Sequence, residues 1–308
     1  MEGFVVTEET KQTTASADAW TVMRLLDWTT EFFRKRGSES PRLDAQVLLA
    51  HARGCSRIEL YTAFNTEPTE EQREAFREMV RRRGDGAPVA YLVGYKEFYS
   101  LKMRVNESVL IPRPETEHVV IEALDQAKLM LAADPNAHLK VVDVGTGSGA
   151  IAIAIAKHLP AASVTAIDVS PDALQIAQWN VEQHEVADRV TLIEGDLLEP
   201  IAADSSVDII VSNPPYVSEA EYEQLSKSVR DHEPRGALVS GPLGTEIIAR
   251  LVEDASSRLR SGGRLIIELS PMIADSCLEI VKGSGKYGDA KLIKDLAGLR
   301  RVLSASRL

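Results

Sequence analysis

The stretch Asp143-Val144-Gly145-Thr146-Gly147-Ser148-Gly149 decides the fold. It links one apolar run, Leu139–Val144, to another, Ala150–His158. Glycines at alternate positions let the backbone turn tightly and approach a ligand with no Cβ in the way. The free N–H groups of the loop and of the helix behind it favour an electron-rich partner. Asp168 closes the next apolar run, 25 residues after Asp143, and an acid at a second strand end can accept both ribose hydroxyls of a nucleoside. Gly145, Gly147 and Ala150 also satisfy the dinucleotide pattern G-x-G-x-x-A. The loop therefore reads as a site for an adenosine-type cofactor and leaves NAD and S-adenosylmethionine both open. Gly145, Thr146, Gly147, Ser148, Gly149 and Asp168 are its candidate binding residues. Asp143 suits loop bracing and cofactor contact equally.

Working outward, apolar runs and helical patterns alternate. Strands are expected at Leu139–Val144, Ser163–Asp168, Val190–Glu194, Val207–Ser212 and Gly263–Leu269, with helices at Ala150–His158, Pro171–Val186 and Gly244–Leu259. This α/β alternation predicts a parallel sheet covered on both faces, with ligands at the carboxyl ends of its strands. Upstream the pattern is helical. Val22, Leu25, Leu26, Thr29, Phe32 and Phe33 recur at helix spacing, and a second helix starts near Pro41 with Leu43, Val47, Leu48 and Leu49 on its buried side. Thr69 and Gln72 form a capping box for a third helix, whose last turn, Arg81-Arg82-Arg83, opposes the helix dipole. From Val89 to Leu110 the chain changes character and turns aromatic, and the alternation Leu101, Met103, Val105 predicts a strand, as one arm of a hairpin. The expected domains are a disordered extension at 1–16, a helical domain at 17–86, a hairpin linker at 87–110 and the cofactor-binding domain at 111–308.

The fourth expected strand ends in Asn213-Pro214-Pro215-Tyr216, and this string selects the chemistry. Prolines make the loop stiff and remove N–H donors. A planar –NH₂ group offers two in-plane donors. The Asn213 side-chain oxygen can accept one and the Pro214 carbonyl the other, while Tyr216 lies against the planar group. The nitrogen then turns its out-of-plane face to an electrophilic methyl group. A strand-end loop of this kind beside an adenosine site points to S-adenosylmethionine-dependent methylation of a planar amide or amino nitrogen. No general base is required, because the methylated nitrogen is cationic and sheds its proton to water.

Composition narrows the partners. The chain has 308 residues, 44% hydrophobic and 26% charged, enough for two domains with real cores. Its net charge of -11 argues against a dedicated nucleic-acid binder, which carries a basic face for phosphates. Cys55 and Cys277 form neither a disulfide framework nor a metal-ligand spacing, so no metal is expected. No apolar run reaches the ~18 residues of a membrane span. The polar start, with Glu2, Glu8 and Glu9, does not read as a secretory signal. The expected location is cytoplasmic.

Several strings together carry a family resemblance. They are Arg42-Leu43-Asp44-Ala45, Tyr91-Leu92-Val93-Gly94 through Glu97-Phe98, Leu110 to Glu117 with its Pro-Arg-Pro-Glu-Thr-Glu core, the Gly145–Gly149 loop, Asn213–Tyr216, Glu233-Pro234-Arg235 and Arg300-Arg301-Val302. The chain resembles the HemK/PrmC glutamine methyltransferases from about Leu25 to Val302. That resemblance implies an N-terminal helical domain, a β-hairpin linker and a Rossmann-like class I methyltransferase domain. It implies S-adenosylmethionine as cofactor and, as substrate, the glutamine in the Gly-Gly-Gln loop of peptide chain release factors, with no direct nucleic-acid partner. Carried over, Asn213 touches both cofactor and substrate. Pro214, Pro215 and Tyr216 frame the glutamine, and Phe98 matches an aromatic of the substrate pocket. Leu197 stands where some relatives place a tryptophan near the adenine. Where the family has Glu-x-Gly followed by Gln, this chain reads Glu268-Leu269-Ser270-Pro271-Met272-Ile273, so no role is assigned there. Arg113, Glu115 and Glu117 are expected to form an ion-pair network opening a helix. A DNA adenine amino-methyltransferase is the alternative, since adenine also presents a planar –NH₂, but it must flip a base and grip a backbone.

Overall fold

The computed structural model describes residues 19–308; the extension expected at 1–16 lies outside them. The chain divides into two compact units between Val93 and Gly94.

The first unit is helical: α1 (Val22–Lys35), α2 (Pro41–Arg53), α3 (Arg57–Thr62), α4 (Glu70–Gly84) and α5 (Val89–Val93). The capping box at Thr69 and Gln72 forms as its spacing demands, and Ser56 with Glu59 forms a second at α3. Val22, Leu26, Phe33, Leu48, Leu49 and Leu60 make the buried seam. Leu43 is 41% exposed, contrary to expectation; Ala45 and Gln46 turn inward instead, because the buried stripe of α2 runs through 45, 48 and 49. Arg81 pairs with Glu78 and Asp85, and Arg83 pairs with Asp44. Val89–Val93, expected within the hairpin linker, is a helical turn. Tyr91 and Leu92 donate back to the Pro88 carbonyl, and Pro88, with its fixed φ, suits the start of a helix.

The second unit opens with a hairpin, β1 (Tyr95–Phe98) and β2 (Leu101–Arg104), turning through Tyr99 and Ser100 at φ 49° and 60°. Then follow α6 (Glu117–Ala133), β3 (Leu139–Val144), α7 (Ala150–His158), β4 (Ala162–Asp168), α8 (Pro171–Gln183), β5 (Val190–Glu194) and β6 (Val207–Ser212). After these come β7 (Val217–Ser218), α9 (Glu219–Tyr222), α10 (Lys227–Arg230), β8 (Val239–Gly241), α11 (Glu246–Ala255), β9 (Leu259–Glu268), α12 (Ala274–Gly283), β10 (Tyr287–Lys294) and β11 (Arg300–Arg307). Two helices stop short of expectation for backbone reasons. Glu185 at φ 54° ends the segment after α8, and Gly244 at φ 79° keeps α11 from starting there.

The main sheet has seven strands in the order β10-β11-β9-β6-β3-β4-β5. Strands β9, β6, β3, β4 and β5 are parallel, as read from the sequence. The expectation of a wholly parallel sheet is corrected at one edge, where β10 and β11 run antiparallel. Their alternation of charged and apolar residues is weak, and a short return after Lys294 closes them as a hairpin. Successive strand residues face opposite sides. Val141, Val164, Ala166, Ile209, Val211 and Ile266 enter one core, and Val142, Val144, Ile167, Ile210, Leu265 and Ile267 the other. Helix α7 is buried from Ala150 to Ala156, as an apolar-all-round helix must be. The chain proceeds from β3 outward to β5 and returns to β6, so the strand order reverses between β3 and β6. A ligand crevice opens at such a point, beyond the carboxyl ends of the strands.

Candidate active site

The loop after β3 takes the shape its glycines permit: Gly145, Gly147 and Gly149 lie at φ 70°, 55° and 81°. Asp143 is fully buried beneath it. One carboxyl oxygen accepts from Thr146 Oγ1 at 2.7 Å and from the Ala152 N–H at 3.2 Å. Asp143 therefore braces the loop against the first turn of α7, and burial pushes its carboxyl up to about 7. At the end of β4, Asp168 accepts from the Gly147 N–H at 2.7 Å and, through its other oxygen, from the Ser170 N–H at 2.9 Å. Each oxygen keeps a second lone pair, so the carboxylate can still take two ligand hydroxyls. Burial raises its pKa while these backbone donors oppose the rise. A Cβ built on Gly145 or Gly147 would meet nothing within 4 Å, whereas on Gly149 it would lie 3.1 Å from Ile153. The first two glycines leave open space above the loop; the third is needed for packing below it.

That space is a cavity of about 410 Å³, within the range of small-molecule sites. Of the residues expected from the sequence, Gly145 to Ser148, Asp168, Leu197, Asn213 and Pro215 line it. Gly149, Pro214, Tyr216 and Phe98 do not. Phe98 is 1% exposed and packs in the core among Met103, Val119 and Ala123. The hairpin turns its ring inward, so it holds β1 on the domain. Leu197 stands at φ 51° and packs one side on the second core. Sequence reasoning missed Asp196, Ser170, Pro112 and Thr116, which also line the cavity. Asp196 follows β5 by the same strand-end logic that marked Asp168; it also pairs with Arg250. Thr116 carries no signal of its own.

The reaction loop is fixed at both ends. Ser212 donates to the Val144 carbonyl at 2.7 Å. Asn213 lines the cavity, and its Nδ2 donates to Thr116 Oγ1 at 3.1 Å, which leaves Oδ1 as the amide's acceptor. Pro214 is buried. Tyr216 packs against the second core, and its hydroxyl donates to Glu268 Oε1 at 3.1 Å. Glu268 is 2% exposed. Burial pushes its carboxyl up to about 7, with the Thr116 and Tyr216 hydroxyls that face it pulling the other way. Burial and the Glu268 charge raise the Tyr216 phenol well above its usual range.

The expected network of Arg113, Glu115 and Glu117 does not form among themselves. Arg113 pairs with the buried Glu233, Glu115 lies 3.9 Å from Arg301, and Glu117 accepts from the Tyr99 N–H at 2.8 Å. Glu233 also accepts from the Ile111 N–H at 3.2 Å, so it clamps two cavity-lining segments, around Pro112 and Pro234, to one another. Among the described residues, no cluster of His, Cys, Asp or Glu suits a metal ion, and no helix is long and apolar enough to cross a membrane.

Comparison with known proteins agrees with this geometry. Residues 24–94 match the family model of the PrmC N-terminal domain, and residues 121–232 that of the methyltransferase small domain. A release factor glutamine methyltransferase of Rhodopirellula baltica is 62% identical over 294 residues, covering 96% of this chain and 99% of its own. The chain belongs to the release factor glutamine methyltransferase family. A member from Chlorobaculum tepidum is 42% identical, over 92% of this chain and 97% of its own. In fold alone, the chain is similar to the catalytic domain of hMettl16, solved in complex with MAT2A 3'UTR hairpin 6. The TM-score there is 0.54 at 17% identity, over 74% of this chain and 81% of that one. Membership of the family makes the second unit a class I methyltransferase domain.

Proposed function

We propose that this chain transfers a methyl group from S-adenosylmethionine to the side-chain amide nitrogen of the glutamine in the Gly-Gly-Gln motif of peptide chain release factors. It would do so in the cytoplasm, as a step that tunes translation termination. One observation carries the reading: at the topological switch, Asn213 lines a cavity floored by the glycine loop, and its amide nitrogen is already engaged by Thr116. Its oxygen is thereby committed as acceptor.

The residues fit the cofactor. The cavity has room above Gly145 and Gly147, Asp168 retains acceptor capacity for a ribose, and Asp196 and Leu197 line the wall beyond it. When bound, the cofactor supplies an electrophilic methyl on a sulfonium. The protein's part is alignment. An amide nitrogen is a poor nucleophile because its lone pair is delocalised. Asn213 Oδ1 accepts one of its hydrogens and the Pro214 carbonyl the other, which returns electron density to nitrogen. Orientation of this kind contributes up to roughly 7–11 kcal/mol. Pro215 walls the cavity beside it, and Tyr216, tied to Glu268, holds the far end of the loop in place. Against a DNA substrate stands the net charge of -11, since a duplex partner calls for counterion release at a basic face.

The test is methyl transfer from labelled cofactor, with the acceptor residue located by mass spectrometry in a release factor and, in parallel, in DNA. Asn213→Ala should lower the single-turnover rate by about ten- to 150-fold, the worth of one charge-assisted hydrogen bond that strengthens as nitrogen becomes cationic. A rate close to wild type would remove Asn213 from the reaction.

A further inference from the structure

We infer that Thr116, seated against Glu268, is a positioning residue for the reaction: it fixes which end of the Asn213 amide meets the substrate. This rests on the reading of Asn213 as an acceptor for the substrate nitrogen.

An asparagine amide has a donor end and an acceptor end of nearly the same shape. Turned the wrong way, Asn213 would aim N–H groups at a substrate nitrogen that offers only N–H groups. Something must hold it. The amide nitrogen donates to Thr116 Oγ1 at 3.1 Å. A hydroxyl has a single hydrogen to give, and the Thr116 hydroxyl faces the Glu268 carboxyl, which in its ionised form only accepts. While Glu268 is ionised, Thr116 directs its hydrogen there and accepts from Asn213. In that state the run Asn213 to Thr116 to Glu268 has one direction. Tyr216 donates to that same carboxylate at 3.1 Å. Both ends of the Asn-Pro-Pro-Tyr string are thus referred to a single buried group.

The placement of Thr116 excludes the ordinary reason for a threonine there. It precedes α6 at the N-cap position, where a threonine hydroxyl usually accepts from the helix's own N–H groups. Here the side chain makes no capping hydrogen bond. It is 4% exposed and reaches a residue 97 positions away. Glu268 is buried as deeply, and its Oε2 has no hydrogen-bond partner of good geometry. A buried carboxyl with an incomplete set of partners is costly, and the core alone gives no reason to keep it.

The experiment is single-turnover methyl transfer to a release factor at saturating cofactor, with cofactor affinity measured by calorimetry on each variant. Thr116→Val keeps the shape and removes the hydroxyl. It should lower the rate by about tenfold or more while leaving cofactor affinity within about twofold. Thr116→Ser restores the hydroxyl and should recover most of the rate. In an Asn213→Ala background, Thr116→Val should add less than about twofold, since the two act as one unit. A Thr116→Val rate equal to wild type overturns the inference. So does a Thr116→Ser variant as impaired as Thr116→Val, or a full Thr116 effect that persists without Asn213. If Asn213→Ala itself runs at the wild-type rate, the reading of the reaction loop falls and the inference with it. If Asn213→Ala is impaired and Thr116→Val is not, only the inference falls.

Discussion

Burial lifts the Glu268 carboxyl from an ordinary 4.5 to about 7. A raised carboxyl pKa means the folded state holds a proton that the unfolded chain releases more readily. Its contribution to stability is complete below the unfolded value and is lost as pH rises from there through about 7. At one unit per 1.36 kcal/mol the whole effect is on the order of ~3 kcal/mol. Glu268→Gln cannot titrate. Urea unfolding at acid and mildly alkaline pH should show that this variant loses less stability across the window than wild type, and equal slopes would mean that Glu268 does not titrate there. Asp143, also lifted to about 7, keeps part of the slope in both proteins. Asp168 answers a different question. Asp168→Ala deletes two ligand acceptors and also frees the Gly147 and Ser170 N–H groups. Calorimetry should find cofactor binding weakened by roughly tenfold or more, one to two charge-assisted hydrogen bonds.

At the scale of elements, the reaction loop depends on what stands behind it. β7 pairs with β8, the Val217 N–H donating to the Leu238 carbonyl at 2.9 Å. Gly244 closes this strap at φ 79°, and a Cβ there would lie 2.6 Å from the Tyr216 carbonyl oxygen and 3.3 Å from the Ser218 nitrogen. Gly244→Ala therefore suffers a left-handed backbone, about 1–2 kcal/mol, and pushes on the loop that carries Asn213. Turnover should fall by more than cofactor affinity does, because the clash is with the backbone of the loop that carries Asn213. Kinetics and calorimetry on this one variant separate the two effects, and equal losses in both would place Gly244 in general stability instead. The Glu233 clamp acts at the same scale: it joins two segments that hold hardly any regular structure of their own.

At the scale of the whole molecule, both sheet cores lie within 94–308. We propose a division of labour, with the second unit binding cofactor and the helical unit serving the protein substrate. A chain beginning at Gly94 should bind S-adenosylmethionine at near-normal affinity and methylate intact release factor poorly. Full-rate methylation by that shortened chain would assign the helical unit another purpose.

The strands, the glycine loop and the Asn-Pro-Pro-Tyr string were legible in the residues, because each depends on short-range rules. Alternation with period two, glycine at positive φ, proline without an N–H and Thr69 paired with Gln72 act within a few positions of sequence. The family resemblance joined distant strings that local rules could not join. What the tertiary structure alone decided were contacts set by long-range closure. The hairpin packs Phe98 into the core. Arg113, Glu115 and Glu117 looked like partners, and the fold gave each a different one. Residues 89–93, expected within the hairpin linker, formed a helical turn. Thr116 reaches Asn213 across 97 positions, and Glu268 meets Tyr216 across 52. No periodicity encodes such pairs, because hydrogen-bond partners are chosen by where packed elements bring them, and sequence spacing does not measure that distance.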